Sequence, residues 1–253
     1  MELITGNKFK KMCHYSLDEF GFIKHVEPDD GEILKIFVKI DFVHQFFCDK
    51  QNVPFILITH NGDISISDVY LKYLEEPNLI SWYGQNINTI HFKLKSIPIG
   101  IANEKWPHGN ESIFLEVIKE NNLKENLIYV NFDVNTNRNE RGYCLTEINK
   151  QGLSLEQIKP FKEYLQDVSK SYFVISPNGN GIDCHKTWEA LYLKTIPIVT
   201  KSINIEYYKD LPILIISDWS NFNIKNINIE LYNKIWDDFN PIKLTINNFL
   251  TNE

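Results

Sequence analysis

The sequence predicts an α/β protein, on three observations. Short apolar runs rich in β-formers, such as ILKIFVKI at 33–40 and PFILIT at 54–59, alternate with stretches of helical spacing. One stretch, YFVISPNGNGIDCHKTWEALYLKTIPIV at 172–199, reads as strand, glycine turn, helix and strand in succession. Polar residues follow directly on several strands, at the carboxyl end where open α/β sheets bind ligands.

Taken in order, residues 1–34 are mixed, with a turn at 27–31. The strand at 33–40 ends at Asp41, and 42–47 opens a helix or loop. The strand at 54–59 runs into His60, Asn61, Gly62 and Asp63, where Asn-Gly marks a turn. A short helix is expected at 69–74, and strands at 80–83 and 94–97. The polar-aromatic loop after the latter holds Glu104, Trp106 and His108. Residues 112–122 form an amphipathic helix, and NNLKEN at 121–126 is a polar break. That break sets the expected boundary between domains 1–123 and 124–253. LIYVNF at 127–132 opens the second domain as a strand. NTNRNER at 135–141 is then a polar loop, carrying Asn137, Arg138 and Arg141. Helices at 142–150 and 160–169 follow, then the 172–199 stretch, a strand at 212–217 and a helix at 229–239. Residues 244–250 are expected to cross back to the first domain.

The 172–199 stretch carries the chemistry. A strand that enters a glycine turn and then a helix aims backbone N–H groups and the positive end of a helix dipole at one spot, where phosphate binds well. Gly179, Asn180 and Gly181 form the turn, and Asp183 is the expected N-cap. Lys186 lies in the first helical turn, within reach of a phosphate; Glu189, three residues on, can accept hydrogen bonds from a ribose diol. One cation for a diphosphate and one anion for sugar hydroxyls suits a nucleotide diphosphate. The spacing is neither G-x-G-x-x-G nor G-x-x-x-x-G-K-[ST].

In the motif SPNGNGIDCHKTWEALYLKTIPIV, a basic residue at 186 precedes Glu189-Ala190 and a Pro-Ile-Val strand. This resembles the C-terminal motif of exostosin-like glycosyltransferases, with Lys186 where that family usually has Arg. The succession from Asp41 through HNGD and YGQN to PIGIANEKWPHG also looks like the microbial and viral members. The resemblance covers most of 35–220. It implies a GT-B-like fold: two Rossmann-like domains facing across a cleft, the N-terminal one small, with donor binding in the second. It further implies transfer from a nucleotide diphosphate sugar to a glycan or other hydroxyl acceptor, with inversion and without a required metal or other cofactor. By position Arg141, then Arg138, with Asn137, matches the family's loop at the donor diphosphate. An inverting transfer needs a general base; a retaining one, which also stays open, needs none. Asp63 is the expected one, with His60, Glu104 and His108 as rivals. Fucosyltransferases of the α-1,3 type are distantly similar in the same helix and strand, so this match does not fix the donor sugar; a UDP- or GDP-sugar is the expected donor.

The totals fit this reading. A net charge of −7 over 253 residues argues against nucleic acid as a general partner. The four cysteines are widely spread, without a C-x-x-C pair, and the histidines have no metal-ligand spacing. The opening MELITGNKFKKMCHYS is too polar for a signal peptide and no eighteen-residue apolar run follows. A soluble, cytoplasmic protein is therefore expected, unlike the membrane-anchored animal exostosins. Two other classes stay open. One is a catalytically inactive module that binds a nucleotide sugar or glycan for a partner enzyme. The other is an unrelated α/β enzyme, such as a phosphatase or dehydrogenase.

Overall fold

The computed structural model describes residues 2–49, 51–237, 239 and 244–250. It is a mixed α/β protein with two largely parallel sheets, as expected of Rossmann-like architecture. The chain divides into two compact units, Met1–Ile99 with Thr245–Glu253, and Gly100–Leu244.

The first unit opens with α1 (Gly6–Lys11), whose Thr5 cap accepts from Lys8 N. β1 (Tyr15–Asp18) and β2 (Gly21–Lys24) form a tight antiparallel hairpin, with Phe20 N bonded to Asp18 Oδ1. Neither is evident from the sequence, because both strands are short and β2 has no buried face. Then come β3 (Leu34–Lys39), α2 (Val43–Phe46), β4 (Phe55–His60), α3 (Leu71–Leu74), β5 (Leu79–Gly84) and β6 (Leu94–Ser96). The sheet order is β2-β1-β3-β4-β5-β6, parallel throughout except at the hairpin. Ile36, Phe37 and Val38 of β3 are consecutive and all buried. A strand covered on both faces needs such a continuous apolar run rather than alternation.

The second unit holds α4 (Glu111–Glu120), β7 (Asn126–Tyr129), α5 (Arg138–Asn149), α6 (Phe161–Ser169), β8 (Ser171–Ile175), α7 (His185–Tyr192), β9 (Ile196–Thr200), α8 (Ile203–Glu206), β10 (Leu214–Ile216) and α9 (Ile229–Asp237). Its four strands are parallel and lie in chain order, β7 to β10. Phe173, Ile175, Ile196 and Ile198 pack with Cys144, Ile148, Trp219 and Phe222 in its core. After this unit α10 (Ile246–Leu250) groups with the first, where Leu250 O accepts from Tyr83 OH at 3.3 Å.

Two stretches are placed differently from the sequence reading. The units divide at 99/100, whereas the break at 121–126 is stitched into the second unit. There Asn122 Nδ2 donates to Ser169 Oγ, and Lys124 Nζ donates to Ser171 O, Leu193 O and Thr195 Oγ1. α4 is likewise tied to α6, through Lys162–Glu116 and Gln166–Glu120. The stretch 135–141 is not a loop either: it is a short 3-10 turn that leads into α5 at Arg138, with Asn137 as N-cap. No helix among the described residues is long and apolar enough to cross a membrane.

Candidate functional site

The Gly179 turn connects β8 to α7 at the carboxyl end of the second sheet. Gly179 N donates to Gly181 O at 3.1 Å, while Asn180 is exposed at the tip. Asn137 draws α5 to this turn. Its Oδ1 caps Glu140 N and its Nδ2 donates to Gly179 O at 2.8 Å. A Cβ at 179 would stand 3.0 Å from Arg141 Nη2 and 3.5 Å from Cys184 Sγ, so the close approach of the guanidinium favours glycine there. The N-cap of α7 is Cys184, whose side chain makes no capping bond. Asp183, the expected cap, is buried and accepts from Trp188 Nε1 at 2.8 Å. The first turn of α7 therefore keeps its dipole uncompensated by a capping carboxylate. Burial pushes the Cys184 thiol up to about 11, which marks it as a packed rather than a reactive group.

Arg141 sits at the first turn of α5 and spans two loops. Its Nε donates to Asn178 O at 3.0 Å and its Nη1 to Asp133 O at 2.8 Å, with the guanidinium 5.9 Å from the Phe132 ring. Both acceptors are neutral carbonyls, so these bonds aim the guanidinium without cancelling its charge. Arg138 is exposed and bonds Asn135 Oδ1 on the preceding turn; no described contact brings it to the cluster.

Lys186 and Glu189 lie one turn apart on α7, and Tyr164 of α6 stands between them. Lys186 Nζ donates to Tyr164 OH at 2.8 Å and lies 4.2 Å from the ring centroid. Tyr164 OH in turn donates to Glu189 Oε2 at 2.7 Å. Glu189 is only 4% exposed, and the Tyr164 hydroxyl engages its Oε2. Burial pulls the Lys186 ammonium down to about 8; Glu189 opposes this and the like charge of Arg141 adds to it. Burial, reinforced by Glu189, raises the Tyr164 phenol well above its ordinary value and keeps it a neutral donor. Two cations thus gather at a glycine turn and a helix N-terminus, with the Glu189 carboxylate linked to Lys186 through Tyr164. That excess of positive charge, partly removed from water, suits an anion.

The other expected site residues belong to the first unit. Asp63 is exposed just past the carboxyl end of β4. His60 is 2% exposed; its Nε2 donates to Pro98 O at 3.1 Å and its Nδ1 accepts from Asn61 N at 2.7 Å. Both nitrogens are thus spent on the protein, and His60 fixes the turn that presents Asp63. Glu104 and His108, expected in the first domain, fall in the second unit, where the His108 ring lies 6.1 Å from His185. Among the described residues no three His, Cys, Asp or Glu side chains gather as a metal site.

Residues 103–225 match the family model of the RXYLT1 C-terminal domain, a xylosyltransferase-related family. The match spans just under half of the chain and includes Arg141, Tyr164, Gly179, Lys186 and Glu189. No curated protein matches the chain. At the coarse level that this supports, the protein is glycosyltransferase-like.

Proposed function

We propose that this protein transfers a sugar from a nucleotide diphosphate sugar to a hydroxyl of a glycan or other acceptor, by inversion and without a required metal. The observation that carries the reading is Arg141 bonded into the Gly179 turn, with Lys186 in the first turn of the helix that follows and Glu189 one turn further on. Charge builds on the diphosphate as the glycosidic bond breaks, and two fixed cations stabilise it there more than in the bound donor. The Oε1 of Glu189 receives the ribose hydroxyls. The work divides as in exostosin-like enzymes of GT-B type: the second unit binds the donor, a UDP- or GDP-sugar, and the first supplies Asp63 as base.

The test is calorimetry and thermal shift with UDP, GDP and their common sugars, with and without divalent metal. A ligand that binds only the native state raises the melting temperature. Binding of one nucleotide without metal, together with donor hydrolysis or transfer, supports an enzyme. Binding without turnover by any acceptor supports the inactive module instead. An absence of binding to every nucleotide refutes the donor site.

A further inference from the structure

Oppositely charged side chains three residues apart on a helix ordinarily pair. Lys186 and Glu189 meet that spacing at the same buried site, where an ion pair would be least screened. They form no ion pair within 4.0 Å; each bonds the Tyr164 hydroxyl instead. That hydroxyl accepts from one and donates to the other, so a single neutral group satisfies both. Its ring packs with Phe161, stacked at 6.4 Å, and with Tyr129, tilted at 6.3 Å. Tyr129 OH is anchored in turn on Asp167 Oδ2.

We propose that Tyr164 is a positioning residue of the anion site: its hydroxyl keeps Lys186 and Glu189 from neutralising each other, so that the ammonium stays available to a diphosphate and the carboxylate to the ribose hydroxyls of the nucleotide. The inference rests on the donor-site reading for its ligand, and on the hydrogen bonds alone for the separation of charge. An ammonium carries three N–H donors and the Tyr164 bond uses one. A lysine locked on a carboxylate would have to break that pair before it could bind phosphate, and the affinity would fall by the strength of the pair. The charged or titratable groups that act on Lys186 are Glu189 on its own helix, Arg141 from α5 and Cys184 at the cap; Tyr164 from α6 bonds it directly.

The test is Tyr164→Phe in the full chain. It removes one oxygen and keeps the ring over the ammonium. Without ligand, the titration of Lys186 is followed through its 13Cε resonance, assigned by its loss in Lys186→Met. The expected result is an upward move of the midpoint by about one pH unit or more, as the ammonium closes on Glu189. An unchanged or lower midpoint overturns the proposal, because a merely structural tyrosine leaves that midpoint where it is. In a second measurement, UDP and GDP binding should weaken about tenfold in Tyr164→Phe, the scale of one hydrogen bond to a charged group. If the midpoint moves but wild-type protein binds neither nucleotide, the donor-site reading fails and the separation of charge stands. If wild-type protein binds and the midpoint does not move, the donor site stands and the role of Tyr164 falls.

Discussion

Arg141→Lys tests whether the guanidinium fork, rather than charge alone, builds the site. Arg141 gives two N–H···O bonds in different directions, to Asn178 O and Asp133 O. A lysine ammonium is a single point on a flexible stem and does not reproduce this span. Hydrogen bonds from a charged donor contribute about 1.5–3 kcal/mol each. Asp133 is exposed, so its carbonyl regains water in the variant, and the low end applies. The expected loss of stability is about 3 kcal/mol, or about 6–12 °C in melting temperature for a unit of this size. Nucleotide affinity should fall more steeply than a retained positive charge would suggest, by about 10–100-fold, because the Gly179 turn loses its strut and the phosphate its planar partner. Denaturant unfolding gives the first number and calorimetry with UDP and GDP the second. A variant that binds nucleotide as tightly as the wild type would refute the assignment, even if it melted earlier.

Three further outcomes follow. Lys186 loses its proton near pH 8, and only the charged form attracts diphosphate, so affinity should fall about tenfold per pH unit above 8. In Lys186→Arg that fall should disappear, since a guanidinium stays charged, and a profile that still fell would place the titrating group elsewhere. Asp63→Asn should keep nucleotide binding and lose at least about a hundredfold in transfer, measured by product formation; full activity would remove Asp63 as base. Burial lowers Lys124 to about 7, below its value in the unfolded chain. Between pH 7 and about 10 the unfolded chain therefore holds more protons, and stability rises with pH through that window. Lys124→Met should show a smaller rise in urea unfolding across pH 7–10, and an identical slope would refute the role of that group.

The strands β3, β4, β8 and β9 were legible because buried parallel strands must be continuous apolar runs, and these are. The glycine turn and α7 were legible because turn residues precede a helical period. The start of α5 was not: Arg138-Asn139-Glu140-Arg141 holds no buried residue, and only Cys144 and Ile148 of this helix are buried. Its one local signal is Asn137 as a cap, and Asn is equally at home in a loop. Tyr164 lies 22 residues before Lys186, on a helix whose buried stripe is Leu165 and Val168. Nothing local distinguishes it from an ordinary amphipathic position. The sequence does show an opposite-charge pair, Lys186 and Glu189, on a helix whose residues from Thr187 to Tyr192 are all buried. Such a pair needs a polar neighbour from another element, and that requirement is the clue to Tyr164.

Both units place their polar residues at the same end of their strands, for a reason that lies in the backbone. At the carboxyl end of a parallel sheet the chain must turn towards a helix, and the turn leaves N–H groups and short polar side chains facing outward. In the first unit Asn61 and Asn86 adopt left-handed backbone at φ 63° and 58°, directly after β4 and two residues after β5. Asparagine tolerates that region better than most residues. Asn86 Nδ2 then ties back to Gly62 O at 3.3 Å, which holds the Asp63 turn from the neighbouring strand. In the second unit Asn137 and Arg141 hold the Gly179 turn in the same way. Each turn is thus braced by a side chain from a different connection of its own sheet. Such bracing keeps an exposed carboxylate and a pair of cations in fixed directions before any ligand arrives, and fixed dipoles and charges of this kind need little reorganisation during a reaction.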